Sequence, residues 1–206
     1  MKSFFESSET QWTRPDGCLH FYAIPAAEAS IRRAFADMGG PLHQFPELGI
    51  QPIQHLHMTL QRLSAFEGDL GDPRWRRLRS AMPRVGRSLA AVRIPLDPPR
   101  VRERAVEAVS TETAGWATVA GRIRRAVQDH GLGETLAETP HGPHVTLAYC
   151  RSAVDDSRVR TSIGEVARPT EFLLDRISLV AVRQDPVAGI FEYRVIQEWP
   201  VGSSNK

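Results

Sequence analysis

The 206-residue chain is long enough for one good-sized core, or for two lobes sharing a core. Its apolar fraction of 41% and charged fraction of 24% are those of a soluble globular protein, and no apolar run approaches the ~18 residues of a membrane helix. A formal net charge of +2 argues against a bulk nucleic-acid coat protein but leaves room for a local basic groove. Apart from Lys2 and Lys206, every basic residue is arginine, which contacts phosphate bidentately.

The opening stretch MKSFFESSETQWTRPDG is polar and lacks an apolar signal-peptide core. It predicts a flexible tail over residues 1–16 and a cytoplasmic protein. Cys18 and Cys150 have no CxxC spacing and are expected as reduced, partly buried thiols. Cys18 to Ile24 is a predicted strand ended by Pro25. A helix follows from Ala26 to Met38, stopped by Gly39-Gly40. The proline-rich stretch from Pro41 to Pro52 reads as irregular, and Ile53 to Leu63 as a strand. Asp72-Pro73 caps a helix to about Val85 with Trp75, Leu78 and Met82 on one face and Arg74, Arg76, Arg77 and Arg79 on a solvated one.

Ser88 to Ile94 and Arg100 to Ser110 alternate as strands. Thr113 caps a third helix whose Trp116, Val119, Ile123 and Val127 recur at helical spacing, and Gly131 ends it. A strand runs from His144 to Cys150, and Asp155 or Asp156 caps a short helix to about Val166. Phe172 to Arg183 and Ile190 to Pro200 are expected to pair as a hairpin through Asp185–Gly189. This loose duplication predicts an α+β class: a bilobal pseudo-symmetric fold over residues 17–201 in a single domain, with two antiparallel sheets forming a central cleft and helices packed outside.

Two tetrapeptides carry the chemistry: His57-Met58-Thr59-Leu60 and His144-Val145-Thr146-Leu147. Residues i and i+2 of a strand share a face, so each strand offers an imidazole and a hydroxyl on one side. Met58, Leu60, Val145 and Leu147 are left for the core. Two such matches among seven histidines have a chance probability on the order of one in a thousand. Facing each other, two imidazoles and two hydroxyls suit in-line displacement at phosphorus. One imidazole takes a proton from the attacking oxygen, the other protonates the leaving oxygen, and the hydroxyls hold the phosphate. An unperturbed pKa of ~6.5 suits histidine to both roles, and no metal or other cofactor is required.

In these residues the chain resembles the 2H phosphoesterase superfamily, in particular its 2′-5′ RNA ligase-like, RNA 2′,3′-cyclic phosphodiesterase branch, whose members carry two H-x-[ST]-x motifs in a bilobal α+β fold. The opening LHFYAIP with its helix and the closing ISLVAVRQDPVAGIFEYRVIQEWPV are also similar, so the resemblance covers about residues 18–201. It implies His57 and His144 as catalytic, with Thr59 and Thr146 as phosphate-binding residues. By analogy with members that open 2′,3′-cyclic phosphates to 2′-phosphates, it implies that His144 activates water and His57 protonates the ribose oxygen. The roles swap for the opposite regiochemistry or for ligation. Tyr149 and Cys150 stand where some members place a basic residue, which Arg62 partly replaces.

Tyr22, Gln61, Arg62, Tyr149 and Arg183 are further candidate substrate contacts, with Gln61 continuing the face of His57 and Thr59. Phe21, Trp75 and Trp116 are expected in the core, and His20, His43 and His130 have no supporting pattern. His55 and His141, close before the motifs, raise a four-histidine metal site as a competing reading. That reading leaves both Thr-Leu repeats unexplained and finds no Asp or Glu beside either motif. The expected partner is an RNA 3′ end or a nucleotide-like phosphodiester, met by a monomer without membrane association. The alternatives are a 2H-type enzyme for another cyclic nucleotide or small phosphodiester, and a non-catalytic RNA-end or nucleotide-binding module.

Overall fold

A computed structural model describes residues 1–6, 12 and 14–202. Its strands are β1 (Cys18–Ala23), β2 (Leu48–Ile50), β3 (Met58–Phe66), β4 (Val92–Leu96), β5 (Arg100–Val101), β6 (Ala105–Val109), β7 (His144–Cys150), β8 (Thr170–Leu174), β9 (Arg176–Asp185) and β10 (Ile190–Pro200). The helices are α1 (Ser30–Leu42), α2 (Pro73–Arg87), α3 (Ala114–Asp129) and α4 (Asp156–Gly164). An antiparallel sheet runs β10-β9-β1-β3-β7-β6-β5, with β2 also paired to β7, and β4 and β8 form a second, two-stranded antiparallel sheet. The fold is α+β with two antiparallel sheets, as expected. Both motif strands, however, lie side by side in the larger sheet, β3 next to β7, so the expected cleft side is one face of that sheet rather than a space between the two sheets.

Those halves meet at a single residue pair, Met58 opposite Val145. Beyond it each motif strand keeps pairing, but with the chain that leads into the other motif. β2, which precedes His57, pairs with β7 through Leu48–Cys150, Gly49–Tyr149 and Ile50–Ala148. The stretch before His144 does the same for β3: Leu63 bridges Leu136, and the Ala137 amide donates to the Arg62 carbonyl. The arrangement is a pseudo-two-fold about the Met58–Val145 pair. Helices α1–α4 pack on the outer face, α2 and α3 behind β3 and β10, α1 and α4 behind the other half. Met58, Leu60, Val145 and Leu147 join Trp75, Leu78, Trp116 and Ile123 in the main core there, which also takes in Phe21.

Several boundaries differ from the sequence reading. Helix α1 starts later because the Arg32 guanidinium bonds the carbonyls of Pro25 and Ala26 and holds that stretch as a turn. It runs through Gly39-Gly40 and Pro41 because Leu42 extends the buried stripe Ile31, Phe35, Met38, and core burial overrides weak helix propensity. The strand expected over 100–110 is a hairpin, β5 and β6. The strand expected from Phe172 breaks at Asp175, where β8 leaves for the small sheet and β9 stays in the large one. Ile53–His55 is a 3-10 turn rather than strand, and Ser88 to Ala91 stays outside β4. Asp72 and Asp155 cap α2 and α4, accepting from the Arg74 and Ser157 amides at 2.8 Å.

The predicted loose tail is corrected for its first residues. The Lys2 and Phe4 amides donate to the carbonyls of Glu103 and Cys150 at 2.7 Å. Phe4 and Phe5 pack edge-on against Tyr149. Residues 7–11 and 13 of that stretch lie outside the described residues. Both cysteines are free and buried, and among the described residues no helix is long and apolar enough to cross a membrane.

Candidate active site

Both motif histidines sit at the start of their strands, at the seam. Continuing the antiparallel register through Met58 and Val145 sets His57 across from Thr146 and His144 across from Thr59. The two imidazoles are held in the same way. His57 Nδ1 bonds the carbonyl of His55 at 2.8 Å, and His144 Nδ1 bonds the carbonyl of Gly142 at 2.9 Å. With Nδ1–H donating to a carbonyl two residues upstream, Nε2 is the nitrogen left for chemistry in each ring. Each ring also lies flat on a neighbour: His57 on Tyr22 at 3.9 Å and 8°, His144 on His141 at 4.4 Å and 12°.

The supports come from elsewhere in the chain. Gln51, buried to 4% exposure, donates to the same His55 carbonyl and also joins its side-chain amide to the backbone of Phe191. Trp116 on α3 donates its indole N–H to the Thr59 carbonyl at 3.1 Å and fixes the first motif from behind. Sequence reasoning missed Gln51, because its stretch read as irregular loop, and placed Trp116 only as core.

Both motifs contain a β-bulge at their leucine. Pairing steps from Phe21–Gln61 to Tyr22–Thr59 past Leu60, and from Val106–Ala148 to Glu107–Thr146 past Leu147. A bulge adds one residue and inverts the alternation beyond it. This corrects the placement of Gln61: it turns to the outer face, fully buried, bonding the carbonyls of Arg62 and Ala137 and receiving Arg124 from α3. Arg62 takes the cleft side instead, opposite His20. At the matching position of the second motif Tyr149 turns to the cleft side, into a cluster with Tyr22, Phe5 and Phe191. Arg183 is not brought to the site. It alternates with Val180 and Val182, which join that cluster, and so faces the opposite side at an exposed position beside Glu192.

Glu107 was not found from sequence, where no carboxylate adjoins either motif. It arrives from β6, directly opposite Thr146. Tyr193 on β10 also escaped notice; it stands edge-on to His57 and to Tyr22. His55 accepts from the Tyr193 amide, and His141 covers His144. Among the described residues no three His, Cys, Asp or Glu side chains are grouped so as to hold a metal ion.

Burial, and the nearby charge of His144, push His57 down to about 4, against the lift from its bond to the His55 carbonyl. His144 is also lowered by burial, but Glu107 and the Gly142 carbonyl act in the opposite direction. His20, fully buried beside the Tyr22 hydroxyl at 2.9 Å, is pushed by burial to about 3. For His20 and His57 the unfolded chain binds protons below about pH 6.5 and the folded chain does not. Stability is therefore complete above that pH and falls as pH drops toward 4, by about 2 kcal/mol per histidine between pH 7 and pH 5. Urea unfolding at the two pH values checks this, and His20→Gln is expected to remove about half of the difference, leaving the contribution of His57.

No family model and no curated protein matches the chain. Solved structures do. The chain is similar to TT0787 of Thermus thermophilus at a TM-score of 0.67 and 20% identity, over 91% of this chain and 100% of that one. It is similar to E. coli LigT in apo form at 0.63 and 18%, over 92% and 100%. To LigT complexed with 3′-AMP the values are 0.62 and 17%, over 91% and 99%. Likeness over almost the full length of both chains, together with a two-lobed sheet joined at paired histidine strands, gives this chain the 2H phosphoesterase fold.

Proposed function

We propose that the chain is a metal-independent phosphodiesterase that opens 2′,3′-cyclic phosphates, on RNA ends or on nucleotides, to phosphomonoesters. The observation that carries this reading is the pair of equivalent imidazoles, each with Nδ1 bound to a carbonyl, on adjacent strands whose register sets each histidine across from the other motif's threonine. Water attacks phosphorus and gives its proton to one Nε2. The bond from phosphorus to a ribose oxygen breaks, and that oxygen takes a proton from the other Nε2. Thr59 and Thr146 donate to the non-bridging oxygens as charge builds on them. Arg62, exposed on the cleft side, adds positive charge toward the same anion. Half-buried Tyr193, edge-on to His57 and Tyr22, offers aromatic surface for a base or ribose, while Tyr22 and Tyr149 are buried beneath the site at 2% and 6% exposure. With a 5′-hydroxyl in place of water as the attacking group, the same proton transfers open the cyclic phosphate into a 2′-5′ linkage: the 5′-oxygen bonds phosphorus and the bond to the 3′-oxygen breaks.

E. coli LigT has been captured with 3′-AMP, with ATP and with NADP+. Nucleotide-like ligands on this fold support a nucleotide-like substrate here. The test is incubation of the purified protein with 2′,3′-cyclic AMP and with a cyclic-phosphate-ended oligoribonucleotide in excess EDTA. A phosphomonoester product is expected from both. Binding without product over long incubation would instead identify a nucleotide-binding module, and turnover lost with EDTA a metal-dependent hydrolase.

A further inference from the structure

The pseudo-two-fold that exchanges His57 with His144 also exchanges an unlike pair on the strands flanking the motifs. Tyr22 lies opposite Thr59 across β1 and β3, and Glu107 lies opposite Thr146 across β6 and β7. His57 thus has an aromatic ring where His144 has a carboxylate. Around His144 the other facing groups are Arg62 from β3, His141 from the preceding loop, His57 across the seam and the Gly142 carbonyl on Nδ1. Glu107 is the one carboxylate in that set. Arg100, which pairs with Glu107 across β5 and β6, is itself held by Asp97 at 3.7 Å.

We propose that Glu107 is a positioning residue that makes His144 the proton donor and leaves His57, stacked on Tyr22, as the base. A negative charge beside an imidazole stabilises its protonated form, while burial without such a charge favours the neutral one. Two titratable groups in unlike surroundings divide acid and base roles between them. The low proton affinity of buried His57 agrees with a base that is ready at neutral pH. This assignment rests on the phosphodiesterase reading above and reverses the roles implied by the family resemblance. Water is then activated on the His57 side, and the ribose oxygen departs toward His144. The bound phosphate, as an anion between the rings, raises both and brings His144 into its protonated form.

The test is Glu107→Gln, which keeps shape and removes charge. Imidazole titrations by NMR and the pH profile of kcat/KM on 2′,3′-cyclic AMP are measured together. His144 is expected to titrate about one pH unit lower and the alkaline limb of the profile to move with it. His57 and the acid limb should stay in place, and Glu107→Asp should restore the original curves. The proposal is overturned if His144 titrates unchanged in Glu107→Gln, or if His57 and the acid limb move instead. Should the wild-type chain open no cyclic phosphate, the functional reading falls, and the NMR titration still decides the coupling of Glu107 to His144.

Discussion

Replacing either His57 or His144 with alanine is expected to lower kcat/KM on a 2′,3′-cyclic nucleotide by about 10²–10⁴-fold. Each substitution removes one Nε2, and in-line displacement needs both a proton acceptor and a proton donor. The double variant should fall little further than the worse single one, because groups acting as a unit do not contribute additively. His57 is 9% exposed and stacked on Tyr22, so its alanine variant also loses packing. His57→Asn is the cleaner partner experiment, and melting curves near wild type would separate lost chemistry from lost fold. A double variant that kept full turnover would place the reaction elsewhere.

The second large effect concerns the seam. Met58 is fully buried and forms, with Val145, the residue pair through which the two half-sheets join. Truncation of a buried methionine to alanine costs about 2–5 kcal/mol through lost burial and the cavity left behind. At this chain length that lowers Tm by about 4–20 °C. The comparison is Met82→Ala in α2, equally buried but far from the seam. Both variants should lose similar stability. Only Met58→Ala should also lose turnover at temperatures where both remain folded, since it alone lets the imidazoles drift apart. Differential scanning fluorimetry and initial rates on the same samples check this.

Much of the fold could be read from the residues. The two HxTL strands, α3 with its Trp116–Val127 stripe and the closing hairpin all follow from simple periodicity. So does the break at Asp175, had the phase been followed: Phe172 and Leu174 are buried on even positions, whereas Ile177, Leu179 and Ala181 join the same core on odd ones. The bulges at Leu60 and Leu147 were not legible, because an inserted residue leaves no mark on side-chain chemistry. Strict alternation therefore sent Gln61 to the cleft and gave no reason to prefer Arg62. Glu107 and Gln51 belong to the site only through strand pairing over long sequence distances, which single-chain periodicity does not encode. β2 escaped because three residues are too few to show a period, and Phe4 and Phe5 because their partners, Tyr149 and Phe191, are remote in sequence.

The crossed pairing of the motif strands has a consequence for the chain as an object. Its two lobes are not two modules. The edge of β7 is closed by residues 48–50 from the first half, and the edge of β3 by residues 136–137 from the second. Cut between the halves, each fragment would carry one histidine strand with a bare edge, a template for aggregation rather than an autonomous unit. The halves are interlaced like clasped hands. The two histidines therefore arrive together or not at all: folding of the whole chain is itself the step that assembles the site.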